Sequence, residues 1–306
     1  MLRAPQGGWC LVGFNRPSER MKEGKNEQGS KTGRAAGFAG GRDSFTAYFG
    51  QQYEIRRLES GGTMNILALI PHYKHPATVG QVAEAMRGFG LNVLIVDDGS
   101  GDDCRQVLDK LALSDGIEVL YRPENGGKGA AVKSGLAYAE ARGYTHVLQV
   151  DADAQHHLPD TAKLIEAAAA QPEAVVCGWP QYGSDAPKAR LYGRKITDFW
   201  NMVNTGSTDI KDGMCGFRLY PLAAALAVVR EENVGERMDF DTEILVRLHW
   251  RALSLVWVKT PVRYASDGIS HFDAWGDNVR ISKMHARLFF EMLARRLAGK
   301  WRQMKP

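Results

Sequence analysis

Five short apolar runs punctuate the middle of this chain: 65–70 (NILALI), 92–97 (NVLIVD), 117–121 (IEVLY), 146–151 (HVLQVD) and 174–178 (AVVCG). Each is near-continuous rather than alternating, which is the pattern of a strand covered on both faces. Between them lie segments of helical periodicity at about 76–89, 102–113, 128–142 and 159–170. Strand and helix in alternation dictate βαβ units, hence an α/β fold with a mostly parallel sheet flanked by helices, whose ligands gather at the carboxyl ends of the strands. The second half is less regular. Helices are expected near 187–205, 221–230 and 238–251, with a short segment at 212–220 and a strand at 253–259. No linker separates the halves, so they are expected to share one domain.

The fourth run ends abruptly in Asp151-Ala152-Asp153-Ala154-Gln155. Alternation along the strand points both carboxylates the same way, with Ala152 leaving space between them. Such a pair suits a hard divalent cation, which binds through one or two carboxylates together with substrate phosphates, and Gln155 adds a neutral oxygen. A pair of turn carboxylates after a buried strand is the plainer alternative. Asp97-Asp98-Gly99-Ser100 closes the second run, where a carboxylate can accept hydrogen bonds from a base or ribose. Asn125-Gly126-Gly127-Lys128-Gly129 opens a helix and offers backbone N–H groups and one ammonium, the ingredients of an anion site. A helix start whose glycines only shape a turn is the other reading.

Composition narrows the class. With 306 residues, 44% hydrophobic and 24% charged, and a net charge of +4, the chain describes an ordinary soluble globular protein. The positive balance is diffuse and has no aromatic-basic platform, so nucleic acid is not expected as a partner. Cys10, Cys104, Cys177 and Cys215 are widely spaced. That spacing argues against a disulfide framework or zinc site and for a reducing cytoplasm. No apolar run is long enough to span a membrane.

Residues 1–63 are rich in Gly, Lys, Arg, Ser and Gln and lack periodicity, so they read as a disordered or non-native extension. Gly24 to Thr32 is a near miss for a phosphate loop, since Ser30 stands where the lysine belongs and no strand precedes it. Met64 sits directly before the first strand and is a candidate start of translation. At the other end, 279–306 reads as a basic amphipathic helix. Ile281, Met284, Leu288, Phe289, Met292, Leu293, Leu297 and Trp301 recur at helical spacing among Arg280, Lys283, Arg287, Arg295 and Arg296. Such a stripe suits either an interfacial helix on a membrane or a helix packed on the domain.

Taken together, Ile70-Pro71-His72-Tyr73, the Asp97 to Ser100 segment, Gly126 to Gly129, Asp151 to Gln155 and Gly216-Phe217-Arg218-Leu219-Tyr220 resemble the family 2 glycosyltransferases of GT-A fold, in particular their polyprenyl-phosphate and dolichyl-phosphate hexosyltransferase branch. The resemblance covers about 64–275 and implies a single catalytic domain over 64–278. It implies a donor that is a nucleotide sugar, a UDP- or GDP-hexose, with Pro71, Tyr73, Asp97, Asp98 and Lys128 at the nucleotide. It also implies Mg²⁺ or Mn²⁺ on Asp151, Asp153 and Gln155, inversion at the sugar, and a lipid-linked acceptor, most readily a polyprenyl phosphate met by Arg218. Asp153, Arg218 and Asp241 are the residues expected to carry the chemistry, at a peripheral site on the inner membrane face. Lys74 and His75 depart from the family, which often has Asn-Glu there.

Two further residues are open. Asp241, in an acidic cluster with Asp239 and Glu243, could serve as general base for a hydroxyl acceptor, or the cluster could only decorate a helix N-terminus. His271 could sit on a loop over the donor, while His156 and His157 are expected to shape the loop after the metal site. A sugar nucleotidyltransferase is disfavoured, because the glycine-rich loop that class carries after its first strand is absent here. A non-catalytic nucleotide-sugar binder is the remaining alternative, and the intact Asp151/Asp153 pair speaks against it.

Overall fold

The structure, a computed structural model, describes residues 64–183, 186, 188–262 and 275–299. Residues 1–63, His271 and Trp301 lie outside the described residues.

Strands β1 (Ile66–His72), β2 (Asn92–Asp97), β3 (Ile117–Tyr121), β4 (His146–Gln149) and β5 (Val175–Tyr182) occupy the five apolar runs. With β6 (Arg218–Pro221) and β7 (Leu255–Val262) they form a seven-stranded sheet in the order β3-β2-β1-β4-β6-β5-β7. β6 runs antiparallel to β4 and β5, and the other pairings are parallel. Among the described residues, helices α1 (Val79–Gly88), α2 (Asp102–Leu111), α3 (Lys128–Ala141), α4 (Thr161–Ala170), α5 (Lys188–Thr205), α6 (Leu222–Glu231), α7 (Phe240–Trp250) and α8 (Gly276–Leu297) cover the sheet. The expected α/β class and GT-A-type sheet are what the chain adopts.

The apolar runs look continuous because each strand feeds two cores. Leu67, Leu69, Leu94, Val96 and Val147 point to one face, where they meet Leu136, Leu226 and Phe240 from α3, α6 and α7. Ile66, Ala68, Ile70, Val93, Ile95 and Leu148 point to the other, against Val82 and Met86 of α1 and Leu164 of α4. Period-two alternation thus divides the side chains between two apolar layers instead of between core and water.

The tail forms α8, and the packed alternative accounts for part of its stripe. The helix starts at Gly276, and Ile281, Met284, Leu288 and Met292 are buried in the same core as the sheet, so this stripe faces protein and not lipid. Burying it against the domain is the more economical outcome for an amphipathic helix. Charges hold it there. Arg287 pairs with Glu243 at 2.5 Å, and Glu291 with Arg247 at 2.8 Å. Arg247 in turn binds Glu243 at 2.7 Å. Truncating the buried stripe by Leu288→Ala is expected to cost about 2–5 kcal/mol. Leu297→Ala, on the exposed side, is expected to stay within about 0.5 kcal/mol. Urea denaturation of the two variants checks the assignment of faces.

Candidate active site

The carboxyl ends of β1 and β2, the turn after β4, the start of α3 and the first turns of α5 and α8 surround a cleft of about 700 Å³. It lies beside β1, whose neighbours β2 and β4 are reached by connections leaving in opposite directions, the usual ligand crevice of a doubly wound sheet. Its volume suits a nucleotide-sized ligand.

The floor is organised by Lys128. Its Nζ lies 2.6 Å from Asp151 Oδ1 and 2.7 Å from Asp241 Oδ2, bridging two carboxylates from opposite sides of the cleft. Gln149 Nε2 donates to the other Asp241 oxygen at 2.8 Å. A Cβ on Gly216 would lie 2.5 Å from Lys128 Nζ and 2.6 Å from Asp151 Oδ1, so glycine is required where this chain crosses the bridge. Burial opposes the charge on Lys128, but Asp151 and Asp241 outweigh it and raise its pKa. Burial likewise opposes ionisation of Asp151. Lys128 and the hydrogen bond from His156 overcome it and hold the carboxyl far below its ordinary range.

The two acids do not owe their orientation to strand alternation. β4 ends at Gln149, and residues 152–153 form a turn in which Ala154 takes a left-handed φ of 57°. Asp153 Oδ1 accepts from the Gln155 amide at 3.0 Å, so part of this carboxylate shapes the turn. Thr78 Oγ1 donates to the Ala152 carbonyl at 2.6 Å and ties the turn to the loop after β1. His156 donates through Nε2 to Asp151 Oδ2 at 3.3 Å and stacks on Phe217, which is the loop-shaping role expected of it. Asp151, Asp153, Gln155 and His156 all line the cleft.

The predicted nucleotide residues divide. Pro71, Tyr73, Asp98 and Lys128 line the cleft. Asp97 does not: it is buried behind the wall, accepting from His72 Nδ1 at 2.8 Å and from the Ser100 amide at 3.1 Å. Burial pushes its carboxyl up, but the bonds from His72 and Ser100 outweigh this and hold it below the usual range. With Nδ1–H given to Asp97, His72 Nε2 accepts from the His75 amide at 3.2 Å, which sets the tautomer. Asp97 therefore orients His72, a cleft residue that motif reading missed.

The glycine loop is also not the open anion nest that its sequence suggested. The Gly126 and Gly127 amides donate to the two oxygens of Asp98 at 3.1 and 2.7 Å, and the Ala130 amide donates to the Glu236 carbonyl. The protein's own carboxylate fills the nest. Gly127 is needed for its φ of 103° and because Arg237, another cleft residue, packs directly over it.

Arg218 also departs from its expected place. It is completely buried and absent from the cleft wall, its guanidinium donating to the carbonyls of Asp241 and Gly213. It braces α7 and cannot reach an acceptor there. The cation on that side of the cleft is Arg194 of α5, next to Thr197. Arg194 Nη1 is anchored on Asp212 at 2.7 Å, and Tyr182 donates to the same carboxylate at 3.2 Å. Helical periodicity hides such a residue in sequence. Gln149 did leave a trace, as the lone amide in an apolar run.

Comparison with known proteins gives the family. The profile of glycosyl transferase family 2 matches residues 68–225, more than half of the chain. The chain belongs to glycosyl transferase family 2. It is similar to polyprenol monophosphomannose synthase of Mycolicibacterium smegmatis, 26% identical over 235 residues, 71% of this chain and 84% of that protein. It is also similar to the dolichyl-phosphate beta-glucosyltransferase of Homo sapiens, 31% identical over 172 residues, 51% of each chain. It thus spans about half to two thirds of the length of the glucosyltransferase relatives it matches. A solved structure of glucosyl-3-phosphoglycerate synthase from Mycobacterium tuberculosis, in complex with Mn²⁺ and UDP-glucose, superposes with a TM-score of 0.53 at 15% identity, covering 78% of this chain and 84% of that one. That likeness shows a shared fold.

Two expected outcomes test the electrostatics of this glycosyltransferase. Lys128→Met leaves Asp151 facing Asp241 with no cation between them. The loss expected is about 3–5 kcal/mol, the range for a buried charge stripped of its partner. Adding Asp241→Asn to that variant is expected to recover part of it, as read in a double-mutant cycle by urea denaturation.

The second concerns Asp198, beside Asp212 on α5. Burial, reinforced by the Asp212 charge, pushes its carboxyl up to about 7. The folded chain therefore keeps a proton that the unfolded chain has released, and stability falls as pH rises from the ordinary carboxyl range through about 7. Asp198→Asn is expected to raise Tm at about pH 8 and to leave it unchanged at about pH 4. Melting curves of both chains across that window decide it.

Proposed function

We propose that this family 2 glycosyltransferase moves a hexose from a UDP- or GDP-hexose to the phosphate of a polyprenyl-type lipid, with metal assistance and inversion at the sugar. The observation that carries the choice of acceptor is the state of Asp241. Gln149 holds one of its oxygens and Lys128 the other. A hydroxyl acceptor needs a base to take its proton, and this carboxylate is committed to an amide and an ammonium. A phosphate acceptor arrives already as an anion and needs none. Arg194 supplies a guanidinium on the acceptor side, a group suited to phosphate oxygens, with Asp212 fixing its direction. The names of the mannose synthase and glucosyltransferase relatives point the same way.

Among the described residues no three His, Cys, Asp or Glu side chains form a ready metal cage. Mg²⁺ and Mn²⁺ do not require one, because one or two carboxylates completed by substrate phosphates suffice. Asp151, Asp153 and Gln155 present such a partial set of oxygens to the cleft and so fit a hard cation. A divalent ion held there supplies Lewis-acid charge to the leaving diphosphate. Pro71 and Tyr73 wall the donor end, and Asp98 holds the glycine loop against it. The relevance of Mn²⁺ is supported by the fold neighbour that binds it together with UDP-glucose.

No described helix is long and apolar enough to cross a membrane. Cys104, Cys177 and Cys215 are buried free thiols, which fits a reducing compartment. The reading accordingly places the protein on the cytoplasmic, inner face of a membrane, in contact with its lipid acceptor.

The test is transfer from a panel of UDP- and GDP-hexoses, with Mn²⁺ or Mg²⁺, to a polyprenyl phosphate and to the matching polyprenol. Glycosyl phosphate lipid and free nucleoside diphosphate are expected. Transfer to the polyprenol alone would overturn the acceptor assignment. Arg194→Ala is expected to raise the KM for polyprenyl phosphate about tenfold or more, the worth of one charge-assisted hydrogen bond, while the donor KM stays within about twofold.

A further inference from the structure

α8 buries only part of its predicted apolar stripe; Leu293 and Leu297 of that stripe face outward, joined by Phe290. Phe290, Leu293 and Leu297 are exposed, at spacings of three and four residues. α5 carries a matching set, Tyr192, Ile196 and Phe199. The two sets form one surface. Trp200 of α5 meets Phe289 of α8 edge-on at 6.3 Å, Phe199 packs on Trp200 at 5.9 Å, and Phe290 packs on Phe289 at 5.7 Å. An unbroken row of rings therefore crosses from one helix to the other, ending in side chains as exposed as Phe199 at 53% and Phe290 at 67%.

The helices run side by side away from the cleft. Gly193, Arg194 and Thr197 at the start of α5 and Asp277 and Ile281 at the start of α8 line it. Further along, Trp200 and Asn204 meet His285. The row of rings thus begins beside the acceptor side of the site and extends outward.

Charge identifies the occupant. Every described charged residue of these helices that is exposed is a cation: Lys195, Arg280, Lys283 and Arg296. Their acids are buried or half-buried: Asp277 is paired with Arg280, Glu291 with Arg247, and Asp198 stands beside Asp212. A second copy docked by two-fold symmetry would set these cations against themselves, which opposes association. Apolar side chains interleaved with cations suit the boundary between acyl chains and anionic headgroups.

We propose that the joint outer face of α5 and α8 seats the protein on an anionic lipid bilayer. The purpose of the contact rests on the lipid-phosphate reading above, since it would bring the cleft to the headgroup level, but the surface itself does not depend on that reading.

The experiment is co-sedimentation of the full chain with phosphatidylcholine vesicles and with vesicles containing about one-third phosphatidylglycerol, neither carrying a polyprenyl phosphate. Binding is expected on the anionic vesicles, weakening as salt rises. The double variant Phe199→Ser/Phe290→Ser is expected to lower partitioning about tenfold or more with an unchanged Tm. Transfer to a short-chain polyprenyl phosphate dissolved in detergent is expected to be unaffected in this variant, so loss of docking and loss of the acceptor reading are separate results. Equal binding to both vesicle types, or no loss in the double variant, would overturn the proposal. So would a wild-type dimer in light scattering that becomes monomeric in the double variant, which would assign the face to a second copy.

Discussion

A single ammonium group between two carboxylates holds this site together. Lys128 comes from the helix that follows the glycine loop, Asp151 from the turn after β4 and Asp241 from the first turn of α7, so one half-buried cation joins three segments remote in sequence. Asp151 and Asp241 would repel each other if left alone in a partly desolvated floor. The bridge lets both stay ionised at close range. The surrounding structure serves it: Gly216 leaves the space, Gln149 takes the second oxygen of Asp241, and Arg218 fixes the backbone of the same residue. Gln149 and Arg218 face each other as partners across β4 and β6, so sheet register and site geometry are set together.

The site follows a consistent electrostatic plan. Carboxylates that look from sequence like ligand contacts are largely engaged by the protein. Asp98 caps the glycine loop, Asp97 orients His72, and Asp241 is locked. Groups that line the cleft with polar atoms to offer are then few and directional, which favours preorganised stabilisation of a departing anion over proton transfer.

What the sequence reveals and what it hides follow from the range of the interactions. Strands β1 to β5 are legible because burial on both faces writes an apolar run into consecutive residues. Helix α3 is legible from its glycines and α8 from its period. The direction of Asp151 and Asp153 is not, because alternation holds only while the strand has a partner, and the β4 ladder stops at Gln149. Arg218 stands in a motif and invites a functional role, yet its partners Gly213 and Asp241 are visible only in three dimensions. Arg194 does the reverse, being unremarked in a helix until the fold turns it toward the cleft. The tail shows the limit of periodicity: the pattern announces an apolar face without saying what covers it, and α8 has an apolar face on each side.

All eleven residues of α7 are buried, although Asp241, Thr242, Glu243, Arg247 and His249 are among them. A helix sealed on every side exchanges its amide hydrogens only when the packing around it opens, and its charged partners extend that packing into α8 and into the floor of the cleft. Asp241 at one end and Arg247 toward the other are parts of the same rigid rod, so local unfolding at the floor of the cleft is coupled to release of α8. The floor of the cleft is thereby placed among the last parts of the molecule to breathe, and the mobility that ligand entry demands must come from the cleft's rim.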